Sequence, residues 1–382
     1  MVGVCKATEF SVDLMIQTRL KSGLVSYEEM AMGLYNEKIA NAVAVAILVM
    51  TFGASVAFIL AVGDILEAGV LDVFGGSLSR QNLMVIFWAL FMLPLSILEN
   101  MNSLRFFSGF GVLNSFYLVF ATTLHAIHHF SEKGFPNFSN DSSASLWPSS
   151  LNGVIEACPI LIFAYICQIN IFSLFEELKD GTAEKFATVT RGGIAAISSF
   201  YFLLATFTFL EFGDKTQDNI LTNYCVAKNP EPLMVVAYVG YALTITMAYP
   251  MCTFPCRYTV HVLLHRLFGT RERHYDSIPK MGKSRRVMIS TIISCGSVLT
   301  ALVAPGISSV FGIVGGTAAS FICFILPAMF AIKLKLAEKW SPQYIYTWLL
   351  FFGGISIGLL STIITVNAAI SRKVKPESPC SS

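Results

Sequence analysis

The stretch from Cys158 to Glu177 reads CPILIFAYICQINIFSLFEE, and it holds the chain's most chemical group of residues inside an apolar run. Tyr165, Cys167, Gln168 and Asn170 lie at its middle, Pro159 near its start and paired glutamates at its end. Amides in hydrocarbon are costly, so such side chains face protein or a wet cavity rather than lipid. Polar groups at mid-depth after a helix-disturbing proline suit the wall of a polar path. Helix–helix packing through small polar groups suits them equally. On a helical wheel Tyr165, Gln168 and Phe172 share one face, and Phe163, Cys167 and Asn170 share another. Both sets line one narrow path only if the helix unwinds there.

Other chemistries have weaker footing. The nine cysteines carry no CxxC spacing and mostly sit in apolar runs as small hydrophobes. The six histidines show no HExxH or similar metal spacing. His125, His128 and His129 are the candidates for proton chemistry, but no carboxylate, serine motif or second histidine partner is placed by sequence to complete a site, which favours interfacial snorkelling. Thr244 and Thr246 offer hydroxyl ligands for a coupling cation, against back-bonding to the preceding turn as their commoner use.

The elements that must position these residues are membrane helices. Of 382 residues 54% are hydrophobic and only 13% charged, about half the charged share of a soluble domain. A net charge of +2 with no free basic surface argues against nucleic acid as a partner. A crossing helix needs about 20 residues. Ten candidate spans follow: 1–18, 40–62, 83–99, 107–129, 152–175, 192–212, 233–255, 287–304, 308–332 and 344–370. The chain thus reads as an all-α polytopic membrane protein, one transmembrane domain over 1–370 with a short polar tail over 371–382. In the first span Lys6, Glu9 and Asp13 fall on one stripe, which must meet a partner helix, water or the interface.

Loop charge sets the orientation. Loops 19–39, 100–106, 176–191, 256–286 and 333–343 hold eighteen Lys and Arg, against seven on the other side, so they should be cytoplasmic. The opposite side carries two glycosylation sequons, Asn137-Phe138-Ser139 and Asn140-Asp141-Ser142. Breakers recur in the spans: Pro94, Pro159, Pro250, Pro255 and Pro327, with Gly312, Gly315 and Gly316 in the ninth. Discontinuous helices of this kind are a transporter signature.

Three motifs in order carry a resemblance. The run Pro159 to Gln168 with Glu176-Glu177-Leu178 resembles the sixth span of the amino acid/auxin permease family. Tyr249-Pro250 and Phe254-Pro255-x-Arg257 resemble the end of its eighth, preceded by Asn219-Ile220-Leu221 and Asn223-Tyr224 in the outer loop. Val310-Phe311-Gly312-x-Val314-Gly315, Phe324-Ile325-Leu326-Pro327-Ala328 and Lys333-Leu334 resemble its tenth. The sequence flavour is that of the protozoan branch. The resemblance implies a broken-helix, inverted-repeat (LeuT-like) transporter fold and secondary amino-acid transport coupled to protons or sodium. It implies that Phe163, Ala164 and Tyr165 approach the substrate's backbone groups, while Cys167, Gln168 and Asn170 select its side chain.

The chain reads as opening where the family's second span would be, so the expectation is that the glycine-rich first span has no counterpart here. The expectation is a missing wall, a polar groove beside 158–177, and weak transport unless another chain or an upstream segment supplies that helix. The alternatives to a transporter are a non-transporting membrane sensor or subunit and, less favoured, a membrane enzyme. The helix of 158–177 is expected inside the bundle beside the span of Thr244 and Thr246.

Overall fold

In a computed structural model, residues 1–70, 79–98, 105–134, 150–179, 181–228, 230–268 and 281–371 are described. Twelve helices are used below. They are α1 (Val2–Ser22), α2 (Tyr27–Leu34), α3 (Glu37–Val70), α4 (Arg80–Ile97), α5 (Arg105–Lys133) and α6 (Leu151–Ala164). They continue with α7 (Ile171–Glu177), α8 (Ala183–Phe212), α9 (Pro232–Phe268), α10 (Lys283–Val303), α11 (Ile307–Leu334) and α12 (Pro342–Ser371). Among the described residues nine spans are long and apolar enough to cross a membrane. The tenth expected span is α1, whose charges keep it below that hydropathy.

α1 is nonetheless a core helix. Thr8, Ser11, Val12, Leu14, Met15, Ile16 and Thr18 are buried, against α8 and the end of α11. Its charged stripe stays on the exposed side and is paired there: Lys6 with Glu9 at 2.7 Å, and Arg191 of α8 with Asp13 at 3.2 Å. Charges at this depth persist only when paired or wet.

α3 and α11 are the central posts, each about 72% buried over its most apolar window, whereas α8 is only 11% buried and presents its flank outward. In lipid every backbone group must be satisfied internally, so each irregularity has a local cause. α4 and α11 both widen into π turns, at Trp88–Met92 and at Phe321–Ile325, just before Pro94 and Pro327. Proline lacks the N–H and its ring pushes back the carbonyl four residues earlier, which the wider turn relieves. A further π turn, Gly315–Ala319, is closed by Ser320 Oγ donating to the Gly315 carbonyl at 2.8 Å.

Contacts assign helix ends to sides. At one end Arg19 reaches Glu176, Tyr35 the Met329 carbonyl, Lys21 the Lys335 carbonyl and Arg266 the side chain of Asn41. At the other, Arg80 reaches Asp64, Ser308 reaches Asp218 and the Ala227 N–H meets the Ala68 carbonyl. The ends bounding the basic loops thus share one side. The sequons and Arg271 lie outside the described residues. Cys225, between α8 and α9, is disulfide-bonded, as suits an oxidising compartment.

Candidate functional site

The condition left open by the sequence is met, since the helix does unwind within 158–177. α6 stops at Ala164, Tyr165 to Cys167 leave helical geometry, and a single 3-10 turn over Gln168–Asn170 leads into α7. Pro159 inside α6 removes one rung of the ladder above the break. Unwinding resolves the conflict of faces: Phe163 to Asn170 no longer follow one helical wheel.

The neighbours of the break hold it in place. Gly315 is packed so closely on α6 that a Cβ would fall on the Pro159 carbonyl, so only glycine fits there. Gly316 meets Thr362 and Ser361 of α12 in the same way, with a would-be Cβ 2.6 Å from Thr362 Oγ1. The residues after Gly315 can therefore widen into a π turn directly beside the break.

The candidate residues have distinct surroundings. The Phe163 ring packs on Phe311 at 4.5 Å. Ala164 is exposed, and its carbonyl accepts from the Tyr201 hydroxyl at 3.1 Å. Tyr165 is buried and donates to Ser198 Oγ at 2.8 Å, and its ring meets Tyr201 edge-on at 5.6 Å. The Cys167 N–H donates to Gln168 Oε1 at 3.0 Å, and Cys323 Sγ of α11 donates to the same oxygen at 3.1 Å. Gln168 is wholly buried, and its Nε2 has no hydrogen-bond partner. The Tyr27 hydroxyl, also buried, lacks one too; burial, with the Cys323 and Cys167 thiols nearby, pushes that phenol well above its usual range. Asn170 is exposed.

Below the break α7 is clamped to α1. Arg19 donates to the Phe172 carbonyl at 3.0 Å and to Glu176 at 2.9 Å, with its guanidinium over the Phe175 ring at 5.1 Å. The glutamate pair read as a merely solvated helix end is thus partly engaged through Glu176.

Two expectations are corrected. The segment 158–177 does not lie beside the span of Thr244 and Thr246; α6 packs against α11 and α12, whereas α9 packs against α3, α5 and α10. The break turns toward the glycine-rich half of α11 because only that surface lets backbones approach so closely. Both threonines also bond back one turn, Thr244 to the Gly240 carbonyl at 2.9 Å and Thr246 to the Ala242 carbonyl at 2.7 Å. Thr244 Oγ1 additionally accepts from Asn114 at 2.9 Å.

The second correction concerns His125, read from sequence as snorkelling. It lies between two carboxylates, Glu211 and Glu231, which sequence separation concealed.

A crevice of about 400 Å³ lies between α8 and α9 with α5 as its floor. Ser115, Tyr201, Tyr241 and Thr244 are its polar lining; the rest is apolar, in contrast to the polar groove expected. Tyr201 links it to the break through the Ala164 carbonyl. Sequence reasoning missed Tyr201, Ser198 and Asn114, since single polar residues on apolar helices carry no motif.

The arrangement can bind rather than react. Opened helix ends can in general present backbone carbonyls and N–H groups to a ligand; here the Ala164 carbonyl and the Cys167 N–H are engaged by Tyr201 and Gln168. Among the described residues no group of His, Cys, Asp and Glu is placed to hold a metal ion.

Comparison with known proteins places the chain in a family. Residues 1–371 match the family model described as transmembrane amino acid transporter protein. The chain is 26% identical over 363 residues to the sodium-coupled neutral amino acid symporter 2 of Danio rerio, covering 89% of the chain and 69% of that protein. It is 25% identical to the vacuolar amino acid transporter 5 of Schizosaccharomyces pombe, over 85% of the chain and 75% of the relative. With solute carrier family 38 member 10 of Mus musculus it shares 23% identity over 83% of the chain, yet spans only 28% of that longer protein. The chain belongs to the transmembrane amino acid transporter family, a family of multi-pass membrane transporters and not of enzymes.

Proposed function

We propose that the chain moves neutral amino acids across a membrane by symport with a cation, with the unwound segment Tyr165–Asn170 as the substrate contact. The observation that carries this reading is the break itself: irregular backbone at membrane depth is tolerated only where protein buries it or a cavity adjoins it. Phe163, Ala164 and Tyr165 face the substrate's ammonium and carboxylate through the loosened backbone. Cys167, Gln168 and Asn170 select the side chain, with the unpartnered Gln168 Nε2 as the donor awaiting an acceptor.

The name of one relative, the sodium-coupled neutral amino acid symporter 2 of Danio rerio, supports the substrate class and the cation. Thr244 and Thr246 are the proposed cation ligands. Each gives its hydroxyl hydrogen to a carbonyl one turn back, and Thr244 Oγ1 also accepts from Asn114, so a cation would take the remaining oxygen lone pairs. Uptake of labelled neutral amino acids into reconstituted vesicles, with imposed sodium or proton gradients, tests the reading. Saturable, gradient-driven accumulation is expected. Substrate binding without net flux would favour the sensor alternative.

A further inference from the structure

The outer ends of three helices meet at one imidazole. His125 of α5 places Nδ1 2.7 Å from Glu211 Oε1 at the end of α8, and Nε2 3.5 Å from Glu231 Oε2 at the start of α9. The Glu211 side chain is only 2% exposed, and its Oε2 has no hydrogen-bond partner. Tyr224, in the short turn Ile220–Tyr224, stands edge-on to the imidazole at 4.9 Å. The same three helices, further into the membrane, form the crevice between α8 and α9 over α5.

We propose that His125 is a proton-operated latch: protonated, it ties α8 to α9 across α5 and closes the outer end of the crevice; on losing the proton it releases them. A protonated imidazole donates from both nitrogens, and a neutral one from a single nitrogen. Only the charged form can therefore serve Glu211 and Glu231 together. When the proton leaves to external water, two carboxylates face each other without the cation between them, and one of them is buried. A buried charge stripped of its partner is strongly disfavoured, so the helix ends separate and water enters.

Among the described residues the surroundings leave this step to His125. From α8 the facing group is Glu211, from α9 Glu231, and from the intervening turn Tyr224. Burial, then the Glu211 charge and then Tyr238 keep the Tyr224 phenol far above its usual range, so it stays neutral. On α5 itself His128 is exposed and reaches Glu132 at 3.8 Å, while His129 packs on Phe130. An unperturbed histidine titrates between about pH 5 and 8, the range in which an external latch would be useful.

The test needs no transport, so its failure is separable from failure of the transport reading. The full chain carrying Ser115→Cys in the crevice is placed in nanodiscs and treated with a water-soluble maleimide. Modification at position 115 is read by mass spectrometry from about pH 5 to 8. A second protein combines Ser115→Cys with His125→Lys, which keeps a cation throughout; the ratio of the two rates cancels the thiol's own ionisation. The expected result is a ratio that rises with pH as His125 loses its proton. A third protein, Ser115→Cys with His125→Gln, should be modified fast even at the acidic end. His125→Arg replaces the lysine variant if that one does not fold. A ratio that stays flat across the range, or a glutamine variant as slow as the parent at acidic pH, overturns the latch.

Discussion

Pro159 and Gly315 lie backbone against backbone, with no room at Gly315 for a Cβ beside the Pro159 carbonyl. The pairing joins the two breakers that matter most, the proline that weakens α6 and the glycine that opens α11. Gly315→Ala should overpack this contact and lower stability by about 1–3 kcal/mol. Gly353→Ala, in α12 with nothing near its would-be Cβ, is the control and should leave thermal unfolding in detergent nearly unchanged.

Gln168→Leu should harm both stability and uptake. Its Oε1 serves the Cys167 N–H and the Cys323 thiol, so the substitution strands a buried backbone donor, at about 1–3 kcal/mol. Gln168→Glu keeps the acceptor but removes the Nε2 donor. Uptake kinetics should then show a raised KM with the fold retained, whereas an unchanged KM would remove Gln168 from the substrate path.

The Arg19 clamp should depend more on its carbonyl than on its carboxylate. Glu176 is 57% exposed, so Glu176→Ala should cost about 0–1 kcal/mol after solvent screening. Arg19→Ala also removes the bond to the Phe172 carbonyl and should cost about 1.5–3 kcal/mol. A double-mutant cycle followed by thermal unfolding checks the order; equal losses would contradict it.

Glu28, in α2, supplies a pH test. Burial pushes its carboxyl above the ordinary glutamate range. A folded-state value raised above the unfolded one means that stability is full below the unfolded value and declines as pH rises through the folded one. Glu28→Gln should therefore raise the melting temperature at about pH 8, and the gain should vanish below about pH 4. A gain that grows on acidification would reverse the sign.

Much of the architecture was legible because membrane helices announce themselves by length and hydropathy. Loop charge placed the helix ends on the sides where Arg19–Glu176 and Arg80–Asp64 now hold them. The break was legible because Pro159, Gln168 and Asn170 are anomalous in an apolar run. What stayed hidden was pairing between distant segments. Neither the separation of Thr246 from the break nor the closeness of His125, Glu211 and Glu231 follows from local pattern, since periodicity assigns faces but not neighbours. The charged stripe of α1, expected to meet a partner helix, water or the interface, does so: Arg191 of α8 reaches Asp13, and Lys6, paired with Glu9, stays exposed.

The most direct measurement concerns Cys167, a free, half-buried thiol within the unwound segment. Its alkylation in reconstituted vesicles can be followed by mass spectrometry, peptide by peptide, with and without neutral amino acids. If substrate sits at the break, amino acids that are carried should slow modification of Cys167 in proportion to their occupancy and leave Cys295, on α10, unaffected. If a carried amino acid leaves the rate at Cys167 unchanged at saturating concentration, the substrate does not sit at the break.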